Sequence, residues 1–247
     1  IFSSCFIGGT SVNKDLDKLR RINHVIIGTP GRINDMINRR ALKLNDFSNL
    51  VLDEFDTMLD MGFLKAVQKI IDQMHKRRQT ILFSATENTK QKGIINGIVS
   101  DYKRVRVSDG QANTDNIYQE VIKTKGDDQK IEILLDLLSK QAFKKVLIFS
   151  ETKRQVSKLC RQLKKLQVKV DEIHGDKSQQ YRSKAIQKFK SGNVQVLVAT
   201  DVASRGIDID NITHVINYRI PNSRESYIHR IGRTGRAGKE GSAITFL

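Results

Sequence analysis

The sequence predicts an α/β protein built from two tandem parallel-sheet units, and three observations predict it. Short apolar runs alternate with one-sided helical stripes along the chain, a rhythm that implies parallel strands joined by crossover helices. The rhythm stops once, at 108–116, where Ser-Asp-Gly-Gln-Ala-Asn-Thr-Asp-Asn supplies turn formers and no large apolar residue, and then restarts. With 247 residues there is chain enough for two ordinary domains, each with its own core. Units at 1–109 and 110–247 are therefore expected, with a ligand cleft between them.

In the first unit, His24 to Gly28 reads as a buried strand. A turn follows at Thr29, Pro30, Gly31 and Arg32, because Pro30 bars helix before it and Gly31 permits a close approach. A helix then runs through Met36 and Ile37. Leu50 to Asp53 is the next strand, Phe63, Val67, Ile70, Ile71 and Met74 form the apolar stripe of a helix, and Thr80 to Ser84 is another strand. In the second unit, a strand at Ile117 to Ile122 leads to a helix around Ile131 to Leu138 and a strand at Val146 to Phe149. The next helix carries Val156, Leu159, Cys160, Leu163 and Leu166 on one face. Another starts near Ser178, a suitable cap, and stops before Gly192. Val194 to Ala199 and His214 to Asn217 are further strands. The chain opens at Ile1 without methionine and stops in an apolar run at Ile244 to Leu247, so it reads as cut at both ends.

Hydrophobic content of 38% with 28% charged residues describes a soluble globular protein, not a disordered one. The formal charge of +16 points to an acidic polymer as partner, nucleic acid ahead of an anionic membrane surface. No apolar stretch reaches bilayer length. Cys5 and Cys160 lack metal-ligand spacing and fit free thiols in a reducing, intracellular compartment, cytoplasm or nucleus. A monomer is the expected state.

Two stretches carry opposite charge. From Tyr227 to Gly238, Arg230, Arg233 and Arg236 recur every third residue; if the segment is helical they line one face and turn planar cations toward one place. A solvated basic helix, or a phosphate-binding patch without chemistry, fits that stretch taken alone equally well. The third-residue glycines Gly232, Gly235, Gly238 and Gly241 mimic a collagen register, but the run is too short and has no proline. Asp53 and Glu54 close an apolar strand, the shape of a Walker B site in which one carboxylate holds Mg²⁺ and the next orients water. By itself such a pair is more often a helix cap or surface turn.

Specificity comes from order. Thr29 to Arg32, Val51 to Asp56, Phe83 to Thr86, Leu147 to Phe149, His174 to Asp176, Ala199 to Asp208 and His229 to Arg236 follow one another along the chain. In this the sequence resembles the DEAD-box family of ATP-dependent RNA helicases over essentially its whole length. The resemblance implies two tandem RecA-like domains, the first truncated at its N-terminus, with ATP bound between them. It implies that Asp53 acts on the Mg²⁺ side and Glu54 on the attacking water. Asp56, Ser84, Thr86 and His229 would relay between hydrolysis and RNA, Asp208 would contact the nucleotide, and Arg233 and Arg236 would be arginine fingers, with Arg230 structural. RNA would meet Gly8, Gly9, Thr29, Pro30, Gly31, Arg32, Thr152, Gly175, Gln179, Arg182 and Thr200.

These RNA positions are small residues, turn amides, hydroxyls and arginines, which suit sugar and phosphate contacts without base reading. No cluster of exposed aromatics is evident; Tyr181 and Phe189 read as helix packing. The family's phosphate-binding loop, Gly-x-x-x-x-Gly-Lys-Ser/Thr, occurs nowhere in the 247 residues, since Gly238-Lys239 lacks the spacing. The polypeptide alone should therefore hold Mg-ATP weakly. Phe55 stands where the resemblance calls for alanine, and its ring must find room in the layer behind the acidic motif. A helicase or RNA clamp regulated by protein partners is expected first. A non-catalytic RNA-binding scaffold is the alternative, and a DNA-directed relative fits the motifs less well.

Overall fold

The computed structural model describes residues 1–85, 89–99, 101–105, 116–204, 209–236 and 238–247. The chain divides into two compact units, Ile1–Gly110 and Gln111–Leu247. Nearly all of the expected hinge at 108–116, and the candidates Thr86 and Asp208, lie outside the described residues.

The first unit runs β1 (Ser3–Phe6), α1 (Val12–Leu19), β2 (Val25–Gly28), α2 (Pro30–Asn38), β3 (Asn49–Leu52), α3 (Phe55–Asp60), α4 (Leu64–Asp72), β4 (Gln79–Leu82) and α5 (Thr89–Ile98). β1 pairs with β2 and β3 with β4, both in parallel, as two two-stranded sheets. Phe6, Ile33, Met36, Leu42, Leu44 and Met74 make one core cluster, and Leu52, Phe55, Val67, Ile71, Ile95 and Ile98 make another; Leu50 touches both. Two expectations need correction. His24 to Gly28 is a strand but not a buried one: Val25 is 44% and Ile27 56% exposed. The helices α1, α2 and α4 all pack on the side of Phe6, Ile26 and Leu50, and the period of two leaves alternate residues open. Nor is 29–32 a free turn. Pro30 is the first residue of α2, with Thr29 extended before it, because a fixed φ and a missing N–H suit proline to a helix start.

The second unit continues with β5 (Ile117–Ile122), α6 (Asp127–Ser139), β6 (Val146–Phe149), α7 (Lys153–Lys165), β7 (Val170–Ile173), α8 (Gln179–Lys190), β8 (Val196–Ala199), α9 (Asp201–Ser204), β9 (His214–Asn217), α10 (Arg224–Ile231) and β10 (Gly241–Phe246). Its sheet is fully parallel in the order β5-β10-β9-β6-β8-β7. Every residue of β6, β8 and β9 is buried, and β6 and β8 are the continuous apolar runs that a doubly covered sheet calls for. One cluster, with Leu134, Val156, Leu163 and Phe246, fills one face, and Phe149, Ile173, Phe189 and Leu197 fill the other. The single helix face expected for Arg230, Arg233 and Arg236 does not form. α10 ends at Ile231, so only Arg230 is helical and the other two follow in a turn. Cys5 and Cys160 are free; burial pushes the Cys160 thiol up to about 11. Among the described residues no helix is long and apolar enough to cross a membrane.

Candidate functional site

The described candidates follow the C-terminal ends of parallel strands, where open α/β sheets present loops to ligands. In the first unit Gly8 and Gly9 form an exposed turn after β1, with Gly9 at φ +79°. Thr29 to Arg32 follow β2, Asp53 and Glu54 follow β3, and Ser84 follows β4. Arg32 turns inward: its Nε donates to Asp15 Oδ2 at 2.9 Å, and its Nη2 donates to the carbonyl of Thr10. Asp15 is fully buried, and Thr10 Oγ1 also approaches it. The Arg32–Asp15 pair thus fixes the Gly8–Thr10 turn to α2. The glycine–proline pattern of the sequence did not signal this, because Asp15 lies outside every motif.

Asp53 and Glu54 are exposed. Asp53 Oδ1 accepts the Glu54 N–H at 3.0 Å, and Glu54 adopts a left-handed φ of 49°. A non-glycine residue in that region costs about 1–2 kcal/mol and is held by its surroundings. Here the Phe55 N–H donates to Phe83 O at 2.9 Å and the Phe83 N–H donates to Leu52 O at 2.8 Å, clamping the bend between β3 and β4. The Phe55 ring is 1% exposed within the second core cluster, so it fits behind the carboxylates. Asp56 is buried and accepts the Thr57 N–H. Asp53 offers exposed oxygen to solvent, the donor chemistry a hydrated Mg²⁺ takes when phosphates supply its remaining ligands. Among the described residues no group of three His, Cys, Asp or Glu forms an all-protein metal cage.

In the second unit Thr152 caps α7. Its side chain accepts the Gln155 N–H while Gln155 Oε1 accepts the Thr152 N–H, a capping box. Gly175 is exposed after β7, in a turn tied back to α7 by Lys153 and Asp176 at 2.9 Å. That hydrogen bond holds the Asp176 carboxyl below its ordinary value. Arg182 Nη1 donates to Gln179 Oε1 at 3.2 Å and its Nη2 to Ala203 O at 3.1 Å, joining α8 to α9 beside Thr200. Burial lowers the Arg182 pKa.

The arginine segment is built around two unlike anchors. Arg230 is buried under Phe149, its Nε and Nη2 donating to the two oxygens of Asp201 at 2.6 and 2.7 Å. Its Nη1 serves Arg219 O at 2.8 Å and Asn217 Oδ1 at 3.2 Å. Beyond α10, Thr234 is buried and donates to Ile212 O at 2.6 Å, while Gly235 takes φ +66° with Ile117 where a Cβ would lie, at 2.7 Å. Arg233 and Arg236 flank these two residues and stay half-buried. Asp201 and Thr234 were therefore missed as positioning residues, although both lie in stretches that the motifs had marked.

Comparison with known proteins gives the same two parts. The family model for DEAD/DEAH box helicase matches residues 1–93, and that for the helicase conserved C-terminal domain matches 129–238. Over 97% of its length the chain is 44% identical to the ATP-dependent RNA helicase CshA of Listeria monocytogenes, of which it covers 46%. It is 32% identical to a hypothetical ATP-dependent RNA helicase from Sulfolobus tokodaii, covering 99% of this chain and 71% of that one with a TM-score of 0.53. With S. cerevisiae Dbp5 L327V bound to RNA and ADP BeF3 the TM-score is 0.88 at 33% identity, covering 100% of this chain and 64% of that one. The chain spans about half the length of the curated relatives it matches.

Proposed function

The chain belongs to the DEAD-box family of ATP-dependent RNA helicases, and from that premise we propose that it is the part of such an enzyme that couples ATP hydrolysis to closure of its two units on single-stranded RNA, separating short duplexes locally. The observation that carries the reading is made within each unit by itself: exposed acid, Asp53 and Glu54, follows β3 in the first, and the half-buried arginines Arg233 and Arg236 lie on the turn after α10 in the second. Glu54 would take a proton from the attacking water, and the two guanidinium groups would meet charge as it spreads over the transferring phosphoryl oxygens. Fingers of this type are worth roughly 10³ to 10⁵ in rate. When bound, Mg²⁺ on the Asp53 side would neutralise β- and γ-phosphate oxygens. Asp56, Ser84, Thr86 and His229 would pass the state of the nucleotide to the RNA contacts, with Asp208 on the nucleotide.

RNA would lie across the strand-end loops: the Gly8–Gly9 turn, the N-terminus of α2 at Thr29 to Gly31, and Thr152, Gly175, Gln179, Arg182 and Thr200. Arg32 would act by holding the Gly8–Thr10 turn through Asp15. Turn amides and hydroxyls meet the sugar–phosphate chain without reading bases, so affinity should be independent of sequence and higher for RNA than for DNA. Regulation by protein partners of closure and action as a monomer belong to the same proposal. So does weak ATP binding by these 247 residues alone, which lack a Gly-x-x-x-x-Gly-Lys loop. Phe55, where the resemblance calls for alanine, is what favours the second reading, a scaffold that binds RNA without turnover.

The test uses the whole gene product. RNA-stimulated ATP hydrolysis is expected, and Glu54→Gln should abolish it with RNA affinity kept. Hydrolysis surviving Glu54→Gln overturns the assignment of roles, and no hydrolysis by the parent protein in saturating RNA and Mg-ATP selects the scaffold.

A further inference from the structure

A buried polar cluster beneath the turn His174–Lys177 has no part in the reaction proposed above. β7, the edge strand, reads Val-Asp-Glu-Ile, and its two carboxylates, Asp171 and Glu172, are each 7% exposed. Buried acids are retained only where they are paired. Asp171 accepts from Tyr181 OH at 2.5 Å, which anchors α8. Glu172 is bound differently, and its partners lead to the turn.

Lys177 Nζ lies 2.8 Å from Glu172 Oε1, and Ser157 Oγ donates to Glu172 Oε2 at 2.6 Å. Ser157 Oγ is also 3.0 Å from His174 Nε2, while His174 Nδ1 accepts the backbone N–H of Asp176 at 3.3 Å. The proton positions follow from these contacts. Because Nδ1 accepts, the neutral ring carries its proton on Nε2 and donates toward Ser157, whose own hydrogen goes to the carboxylate. Burial pushes the Glu172 carboxyl up, but the hydrogen bonds from Lys177 and Ser157 outweigh it and hold the group below its ordinary range. The chain of bonds begins at the amide of residue 176 and returns through the side chain of residue 177. Between them the turn is closed by the Lys177 N–H on His174 O at 3.0 Å, and Gly175 stands exposed at its apex.

We propose that Ser157, Glu172 and Lys177 are positioning residues for RNA: by fixing His174 as its Nε2–H tautomer they orient the Asp176 amide and the Gly175 backbone toward the sugar–phosphate chain. This rests on the RNA reading of the second unit. A turn already held in its binding geometry loses less freedom when the strand arrives. Released, it would have to be ordered at each encounter.

The experiment measures single-stranded RNA affinity by anisotropy for the 247-residue chain and its Glu172→Gln, Ser157→Ala and Arg182→Ala variants, well below each melting midpoint. Ring ¹⁵N shifts of His174 are recorded in parallel. Glu172→Gln is expected to weaken RNA binding about tenfold and to move His174 away from the pure Nε2–H pattern; Ser157→Ala should act in the same direction with less disturbance of the fold. If both variants bind like the parent chain while Arg182→Ala is impaired, the positioning role is wrong and the RNA reading stands. If the parent chain binds no RNA, or Arg182→Ala is indifferent, the RNA reading itself fails. Should Glu172→Gln not fold, Ser157→Ala decides: unchanged affinity overturns the proposal, and weakened affinity with a shifted tautomer supports it.

Discussion

Asp201→Asn should be the most damaging single-charge change in the second unit. The Arg230 side chain is 3% exposed and uses Nε, Nη1 and Nη2, with two of the bonds going to the Asp201 carboxylate at 2.6 and 2.7 Å. Removing that charge leaves a buried cation with only the neutral acceptors Asn217 Oδ1 and Arg219 O. Breaking a buried pair costs about 3–5 kcal/mol. Asp201 is 33% exposed, so solvent takes part of the load and asparagine keeps one acceptor; about 2–3 kcal/mol is expected. Urea unfolding followed by tyrosine fluorescence reads mainly the right unit, since Tyr118, Tyr181, Tyr218 and Tyr227 belong to it and only Tyr102 of the five tyrosines to the first. Arg230→Met should be costly alone, and the double substitution should cost less than the sum by about 2 kcal/mol, because the pair is lost only once. A single loss under about 1 kcal/mol, or additive losses, would refute the view that this pair fastens α9, next to Thr200, to the helix leading into Arg233 and Arg236.

Two further outcomes follow from the same unit. Gly235→Ala places a Cβ at φ +66° and within 2.7 Å of Ile117, so a loss of about 2 kcal/mol or more is expected in the same assay, with the Arg236 turn displaced; a neutral effect would mean that β5 yields freely. His214 is buried against the Phe143 ring, centroids 3.6 Å apart, and burial pushes its pKa below 6.5. Above 6.5 both states are neutral and stability is full. As pH falls, the unfolded chain takes the proton first, so stability declines and levels off below the folded-state pKa. Glu172 adds a similar loss only below about 4.5, the ordinary value beneath which its lowered pKa lies. Unfolding free energies at pH 8 and 5.5 should differ for the parent chain and converge for His214→Phe; an unchanged pH slope in that variant would assign the effect elsewhere.

Much of the second unit could be read from the sequence because its signals were local. The strand Ile117 to Ile122 and the cap at Ser178 depend on neighbours in sequence, and both formed as expected. What periodicity could not convey was which face of a strand would be covered. The apolar run at Val25 to Ile27 matches a buried strand, yet burial is decided by which helices pack on which side, and these pack on one. β7 escaped notice because Asp171 and Glu172 break its apolar pattern, and what makes them tolerable, Tyr181, Ser157 and Lys177, is brought there only by the fold.

The candidate site divides along the same line. Residues that would touch ligand carry short motifs, since a turn needs glycine, a cap needs threonine, and a phosphate needs arginine. Residues that hold them are not marked as such, even where, like Asp201, they lie inside a motif. Asp15 under Arg32, Asp201 under Arg230 and Glu172 under His174 are each an acid that neutralises or orients a basic side chain of a motif. Asp15 and Asp201 stand 17 and 29 residues from the arginines they hold, separations set by loop length, so no short fixed spacing announces them, whereas Glu172 lies close before His174 and is disguised by its place in a strand. In both units the motifs state the chemistry offered at the strand ends, and the acids behind them decide whether it is held still enough to be used.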